Sequence, residues 1–220
     1  MVVIAGVVVT FSLKGASPGG GTLPPGAVSS LLSRQPDGSI VMAEPGVTSP
    51  VLELFEDFQC PICKQFEADS GATVQRLAQE GKVKVVYRPF DLFVGREPLA
   101  SNSHRAANAA LCAPAADWTK LQGLIFQNQP AEGTAGFSAQ GLITWGRQAG
   151  ITDAAFATCV TEQSKSAQVD QMTSYATGSR GVQGTPTVFL NGVQVGQSTV
   201  MDPQALEQAI TGPGTGVPSA

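Results

Sequence analysis

A strand-helix-strand pattern is the feature of this sequence that most constrains its fold. Residues 51–56 (VLELFE) and 82–87 (KVKVVY) have the apolar, β-branched character of strands. Between them, residues 61–79 begin with Pro61, place apolar side chains at roughly helical spacing and end before Gly81. Two strands joined by a crossover helix are expected to lie parallel in one sheet. The pattern therefore predicts an α/β core.

The rest of the chain predicts more strands and a helical block. Residues 98–178 are rich in alanine and predict helices at residues 100–112, 118–127, 139–149 and 153–177. Short strands are predicted at residues 38–43, 187–190 and 193–195. The Asn191-Gly192 pair favours a tight hairpin between the last two strands. A final helix is predicted at residues 202–210.

The two ends differ in composition from the rest of the chain. Residues 1–13 are apolar and uncharged, and Gly and Pro are frequent in residues 14–30, as in a signal or anchor segment followed by a linker. Thirteen helical residues span about 20 Å, short of the roughly 30 Å hydrocarbon core, so we expect a clipped signal or an anchor lacking its first residues. The alternative is a buried N-terminal strand. Residues 211–220 predict a disordered tail.

Charge and histidine content narrow the possible functions. The formal net charge is −4, so we expect no basic surface for nucleic acid. His104 is the one histidine, which excludes a metal site built from several histidines. We therefore expect no metal and no cofactor, and the four cysteines carry the chemical interest.

The sequence Cys60-Pro61-Ile62-Cys63 lies where a predicted strand ends and a helix begins. Free amide groups and the positive end of the helix dipole stabilise a thiolate at Cys60 and make it a nucleophile. Cys63, one turn further, can attack a mixed disulfide formed by Cys60. Half of a zinc site is the first alternative, but it would need a second close pair of ligands. A structural disulfide is the second, and so short a loop gives little stabilisation.

The stretch LELFEDFQCPICKQF, the sequence Gly184-Thr185-Pro186-Thr187 before a hairpin, and the helices between them resemble the DsbA-like thiol-disulfide oxidoreductases. These belong to the thioredoxin-fold superfamily, and the likeness is greatest to extracytoplasmic members from high-GC Gram-positive bacteria. The resemblance spans about residues 31–210. It implies a thioredoxin fold formed by residues 31–97 and 179–210, with an α-helical domain inserted at residues 98–178.

The resemblance also implies roles for individual residues. Cys60 would be the exposed attacking cysteine and Cys63 the buried resolving one. Pro186 would be a cis-proline facing the disulfide, and the Thr185 backbone would pair with a bound peptide. The same Thr-Pro pair occurs in isomerase-like and reductase-like relatives, so it does not decide the direction of electron flow.

Two positions depart from the family pattern. Leu54 stands where many relatives have a buried acid that shuttles protons, which leaves Glu56 and Asp57 as candidates for that role. The dipeptide between the cysteines is Pro61-Ile62, without the histidine of the strongest oxidant. We therefore expect a pKa for Cys60 that is lowered, but less far than the extreme of about 3.5.

Cys112 and Cys159 fall in the predicted inserted helices. Relatives of the type that this chain resembles tend to carry an extra cysteine pair there. In an exported protein the even cysteine count also favours pairing, so we expect a structural disulfide. The alternative is a relay disulfide that exchanges electrons with Cys60 and Cys63.

Together, the residues and the resemblance predict an exported, membrane-tethered and monomeric enzyme of the cell envelope that introduces disulfides. Its expected partners are unfolded or reduced exported polypeptides and a membrane redox protein that re-oxidises it. A reductase or isomerase of the same fold is an alternative within this chemistry. A chaperone or peptide-binding module with an inert CxxC is the alternative from another class.

Overall fold

A six-stranded mixed sheet forms the centre of the protein in this computed structural model, which describes residues 31–213. The strands are β1 (Leu32–Arg34), β2 (Ile40–Met42), β3 (Val51–Glu56), β4 (Lys84–Pro89), β5 (Thr187–Leu190) and β6 (Val193–Gln194). Their order across the sheet is β1-β2-β4-β3-β5-β6. β1, which pairs antiparallel with β2, was not predicted from the sequence.

The predicted strand-helix-strand unit is confirmed, because β3 and β4 lie side by side in parallel. The connection consists of α1 (Pro61–Phe66), a π-helical turn (Glu67–Gly71) and α2 (Ala72–Gln79). The predicted helix at residues 61–79 is thus one helical run, but with a wider turn in its middle.

The connection from β4 to β5 is helical, as predicted for an insertion into a thioredoxin fold. Its helices are α3 (Leu99–Cys112), α4 (Trp118–Gln127), α5 (Ala139–Ala149), α6 (Ala154–Thr161) and α7 (Ser166–Ser174), and a π-helical turn (Tyr175–Ser179) follows α7. The prediction of one helix at residues 153–177 was wrong. Gln163 takes a left-handed conformation with φ of 50°, and the Ser164 N–H donates to the Cys159 carbonyl. This C-terminal cap ends α6.

The C-terminal part closes the sheet with a hairpin and two helices. Asn191 and Gly192 both have positive φ, at 49° and 83°, as a type I′ turn requires. After α8 (Gln197–Val200), the Asp202 carboxylate accepts backbone hydrogen bonds at the start of α9 (Pro203–Thr211). This last helix ends at Thr211, one residue later than predicted.

The signal or anchor segment and linker predicted at residues 1–30, and most of the predicted tail, lie outside the described residues. Among residues 31–213, no helix has the length and apolar character needed to cross a membrane.

The inserted helices share one apolar core with the sheet. Tyr87 of β4 packs against Trp118 of α4 with ring centroids 4.9 Å apart, and Phe58 meets Phe126 at the same separation. This packing places α4 directly against the end of β3 from which the CxxC segment begins.

Candidate active site around Cys60 and Cys63

Cys60 caps the N-terminus of α1 immediately after a tight turn at the end of β3. Its backbone is extended, with φ of −75° and ψ of 119°, and its N–H donates to the Asp57 carbonyl over 3.0 Å. Pro61 occupies the first turn, where a missing N–H costs nothing. Cys63 follows one turn later on the inner face of the helix.

Both cysteines are free thiols, and both are largely covered. Cys60 is 5% exposed and Cys63 is fully buried. The expectation of an exposed Cys60 is therefore wrong for the reduced protein. The segment before β5 covers Cys60, because Cys60 Sγ lies 3.4 Å from the Thr185 carbonyl oxygen. The Thr185-Pro186 peptide bond in this segment is cis.

The two thiols have opposite pKa shifts. A hydrogen bond from the Cys63 thiol is the main cause that lowers the pKa of Cys60 to about 6, against the opposing effect of burial. The Thr185 side chain and the backbone N–H groups of Cys63 and Ile62 lower the pKa of Cys60 further. Burial raises the pKa of Cys63 well above its usual value, and Cys60 and Glu56 add to the increase. The reduced pair is therefore poised as a Cys60 thiolate beside a Cys63 thiol.

The two acids proposed as proton shuttles have different surroundings. Glu56 lies close enough to Cys63 to affect its pKa, and it accepts a hydrogen bond from Gln122 of α4 over 3.1 Å. Burial raises the pKa of Glu56 well above its usual value, and the neighbouring Glu67 raises it further. Glu56 is thus the acid that interacts electrostatically with the buried Cys63 thiol.

Asp57 instead has both carboxylate oxygens in hydrogen bonds that hold the surrounding chain. They accept from the N–H groups of Gln59 and Leu92 and from the Ser103 hydroxyl, each over 2.7 Å. Burial raises the pKa of Asp57 to about 7, although these hydrogen bonds act to lower it. Its geometry links the turn before Cys60 to α3.

Besides Gln122, the residues Glu67 and Gln129 of the site were missed in the sequence. Glu67 has its carboxyl group turned toward Glu56, and burial raises its pKa to about 7. Glu67 lies four residues after Cys63 on a predicted helix, and residues at this spacing share a helix face. The sequence could therefore have indicated that Glu67 lies near Cys63. Gln129 donates to the carbonyls of Phe58 and Cys60, over 2.7 and 2.9 Å. No local pattern indicates that long-range contact.

A groove of about 370 Å³ lies beside the cysteine pair, and its lining includes Ile62, Gly184, Thr185, Pro186 and Gln194. Ile62 is 49% exposed, which is high for a large apolar side chain. The groove thus offers backbone groups and an apolar contact within reach of Cys60.

Cys112 and Cys159 are joined in a disulfide between the end of α3 and α6, with Cα atoms 5.9 Å apart. Because they are bonded to each other, they do not supply thiolates for a zinc site with Cys60 and Cys63.

A cysteine pair at a helix N-terminus, opposite a cis-proline on a mixed sheet with inserted helices, defines a thioredoxin-fold protein with redox thiols. The chain belongs to the thioredoxin family, whose model matches residues 46–211. No curated protein sequence matches the chain.

Comparison with solved structures shows which thioredoxin-fold proteins the chain is similar to. The chain is 28% identical to the reduced disulfide bond oxidoreductase DsbG from Mycobacterium tuberculosis, covering 86% of this chain and 88% of that one with a TM-score of 0.65. It is 27% identical to reduced DsbA from the same organism, over 83% of this chain and 92% of that one, with a TM-score of 0.64.

The thiol-disulfide oxidoreductase MdbA from Actinomyces oris shares the fold, at 20% identity and a TM-score of 0.67 over 89% of this chain and 92% of that one. With the Cys60-Cys63 pair in place, the protein is a DsbA-like thiol-disulfide oxidoreductase.

Proposed function

We propose that the protein introduces disulfide bonds into exported polypeptides by exchange through Cys60 and Cys63. The observation that carries this proposal is the position of Cys60 at the start of α1 and against Thr185 of the cis Thr185-Pro186 bond. In these surroundings the pKa of Cys60 is lowered to about 6 and that of Cys63 is raised. A stabilised Cys60 thiolate favours the reduced form of the enzyme. Its disulfide is then a strong oxidant of other thiols.

In the proposed reaction, a substrate thiolate attacks Cys60 Sγ of the oxidised enzyme. The Cys60-Cys63 bond breaks, its electron pair passes to Cys63 Sγ, and that sulfur takes up a proton. A second substrate thiolate then attacks the substrate sulfur of the mixed disulfide and releases Cys60 as a thiolate. The substrate loses two electrons and gains a disulfide, and the enzyme is left reduced. The low pKa of Cys60 makes it a good leaving group in the last step.

The groove beside the cysteines is the proposed substrate-binding surface. The Thr185 backbone would pair with an extended peptide as an added strand, and Pro186 would hold that backbone against Cys60. Pro61 and Ile62 support the site by starting the helix and by offering an apolar contact. Glu56 is the proposed proton acceptor and donor for Cys63, because its carboxyl group acts on that thiol whereas the oxygens of Asp57 are held elsewhere.

An extracytoplasmic location in the cell envelope completes the proposal. The Cys112-Cys159 disulfide supports it, because such bonds persist in oxidising compartments, and residues 1–13 have the composition of an export or anchor segment. The monomer would act on unfolded or reduced exported polypeptides. A membrane redox protein would remove the two electrons after each cycle.

We also propose that the chain is divided into a thioredoxin-like domain (residues 31–97 and 179–210) and an inserted helical domain (residues 98–178).

The reduction potential of the Cys60-Cys63 pair tests the direction of the reaction. The protein would be equilibrated with glutathione buffers and its thiols trapped, with Cys112 and Cys159 read separately by mass spectrometry. We expect a value of about −120 to −180 mV, typical of a disulfide donor. A value of roughly −230 to −270 mV would instead support the reductase or isomerase alternative.

The reactivity of Cys60 tests whether the cysteine pair is chemically active. The rate of Cys60 alkylation should rise with pH through a midpoint near 6, because the thiolate is the reacting form. Cys60→Ser should abolish exchange. If Cys60→Ser retained full activity toward unfolded polypeptides, a chaperone with an inert CxxC would be the better description.

A further inference from the structure

We infer that Glu67 shares a single proton with Glu56 next to Cys63, and that the π-helical turn and Gly71 position Glu67 for this purpose. This inference rests on the proposed thiol-disulfide exchange. It makes Glu67 a positioning residue, which acts on Cys63 through Glu56.

The two carboxyl groups come from different elements, and they belong to a buried residue, Glu56, and a half-buried one, Glu67. Glu56 ends β3, Glu67 begins the π-helical turn, and the two groups are within hydrogen-bonding reach of each other. Gln122 of α4 contacts both of them. Two carboxylates this close and shielded from water cannot both be ionised at low cost, so a shared proton is the stable arrangement.

The hydrogen bonding of Glu56 agrees with a shared proton. Its Oε2 accepts from Gln122, whereas its buried Oε1 accepts from no amide or hydroxyl group of residues 31–213. A buried oxygen without a partner is costly. A proton held between the two carboxyl groups satisfies this oxygen without any further residue.

Gly71 provides the space that Glu67 needs. A Cβ atom built at Gly71 would lie 2.6 Å from Glu67 Oε2, a distance that the carboxyl group could not accept without moving. The π-helical turn spans Glu67–Gly71, so the wider turn and the missing side chain occur together. π-Helical turns within α-helices are frequently found at functional sites.

The groups that face the pair add no positive charge. Cys63 on α1 and Cys60 just before it interact electrostatically with Glu56. Burial and both glutamates raise the pKa of Tyr87 on β4. Gln122 of α4, which also contacts the pair, does not titrate. Within residues 31–213, no lysine, arginine or histidine forms an ion pair with Glu56 or Glu67. The proton itself therefore balances the charge of the pair.

A pair that holds one proton can both give and accept a proton near neutral pH. When Cys63 leaves as a thiolate, the pair protonates it. When Cys63 attacks a mixed disulfide on Cys60, its proton passes to Glu56 as the shared proton moves to Glu67. A single carboxyl group is mostly protonated or mostly ionised at a given pH and serves one direction better than the other.

The attack of Cys63 can be measured with oxidised glutathione as the probe. Reduced protein first forms a Cys60-glutathione mixed disulfide; Cys63 then displaces glutathione thiolate, which carries away the electron pair of the broken bond. Quenched-flow sampling and mass spectrometry follow the loss of the mixed disulfide, which is unimolecular. We expect the wild-type rate to rise with pH through a midpoint near 7, where Glu67 ionises.

Glu67→Gln should lose this midpoint and slow the displacement by about a hundredfold, the low end of the range for general acid-base catalysis. Gly71→Ala should have the same effect, because the added methyl group displaces the Glu67 carboxyl while its backbone φ of about −56° suits alanine. Asp69→Asn is the matched control, since it removes an exposed carboxyl group from the same turn.

The outcomes separate this inference from the proposed function. Exchange that persists in Cys60→Ser would refute the proposed function itself. Normal exchange, with the same pH profile in wild type, Asp69→Asn and Glu67→Gln, would overturn only the role of Glu67. If Glu67→Gln failed to fold, Gly71→Ala would decide: a wild-type profile would refute the inference, and a lost midpoint would support it.

Discussion

Glu56 and Asp57 are neighbours in the chain, but the Glu56 carboxyl group interacts with Cys63 whereas the Asp57 carboxyl group holds the surrounding backbone. Strand geometry turns successive side chains to opposite sides, so Glu56 at the end of β3 and Asp57 after it enter different environments. Glu56 faces Cys63, Glu67 and Gln122. Asp57 connects the turn before Cys60 to Leu92 and to α3.

Substitution by the matching amide should separate the two roles. In Asp57→Asn the NH2 group would face the Leu92 N–H, which leaves a buried donor without an acceptor, and unfolding should become easier by about 1–3 kcal/mol. Glu56→Gln keeps an oxygen for Gln122, so its stability should change less, but displacement by Cys63 should slow. Urea unfolding and mixed-disulfide kinetics on both variants test this assignment. Equal kinetic losses in the two variants would contradict it.

At the level of elements, the Cys112-Cys159 disulfide ties α3 to α6 across a sequence separation of 47 residues. Closing a loop of this length is expected to stabilise the fold by about 4 kcal/mol. The double variant Cys112→Ala/Cys159→Ala should lose about this amount in urea unfolding and keep its rate of exchange with glutathione. A large loss of exchange in a variant that remains folded would support the relay alternative instead.

The elements that sequence patterns predicted are those with local causes. The apolar run before Cys60, Pro61 at the start of α1 and the Asn191-Gly192 turn each act within a few residues. The break in the helix predicted at residues 153–177 was missed because Gln163, not glycine, adopts the left-handed conformation. Strand β1 is three residues long and at the sheet edge, where a period of two cannot be recognised.

The cysteines of the site could be predicted from the sequence, but the residues that surround and contact them could not. The spacing of Cys60 and Cys63 and the Thr185-Pro186 pair are visible in the sequence. The contact of Gln122 with Glu56 joins residues 66 positions apart, and it depends on how α4 packs. Glu67 begins a π-helical turn that the sequence pattern did not predict. Such contacts arise from tertiary packing, which no local pattern records.

At the scale of the whole molecule, the thiol chemistry is linked to the stability of the fold. The folded protein lowers the pKa of Cys60 from 9.0 to about 6, so the reduced fold is stabilised wherever Cys60 is a thiolate in the folded state and a thiol in the unfolded state. The oxidised protein has no such group at Cys60. For this protein, reduction should therefore stabilise the fold, contrary to the usual effect of breaking a disulfide.

The sign of the pH dependence follows from the same shift. Between pH about 6 and about 9 the unfolded reduced chain binds a proton that the folded one does not, so the stability advantage of the reduced form grows as pH rises. Because the two states differ by at most one bound proton, the slope is limited to about 1.4 kcal/mol per pH unit. Below about pH 6 the advantage is lost, because Cys60 is then protonated in both states. Urea unfolding of both redox forms across this range measures the difference, with reduced Cys60→Ala as the control that lacks the slope. An oxidised form that is more stable at every pH would contradict the expectation that the Cys60-Cys63 disulfide is an oxidant.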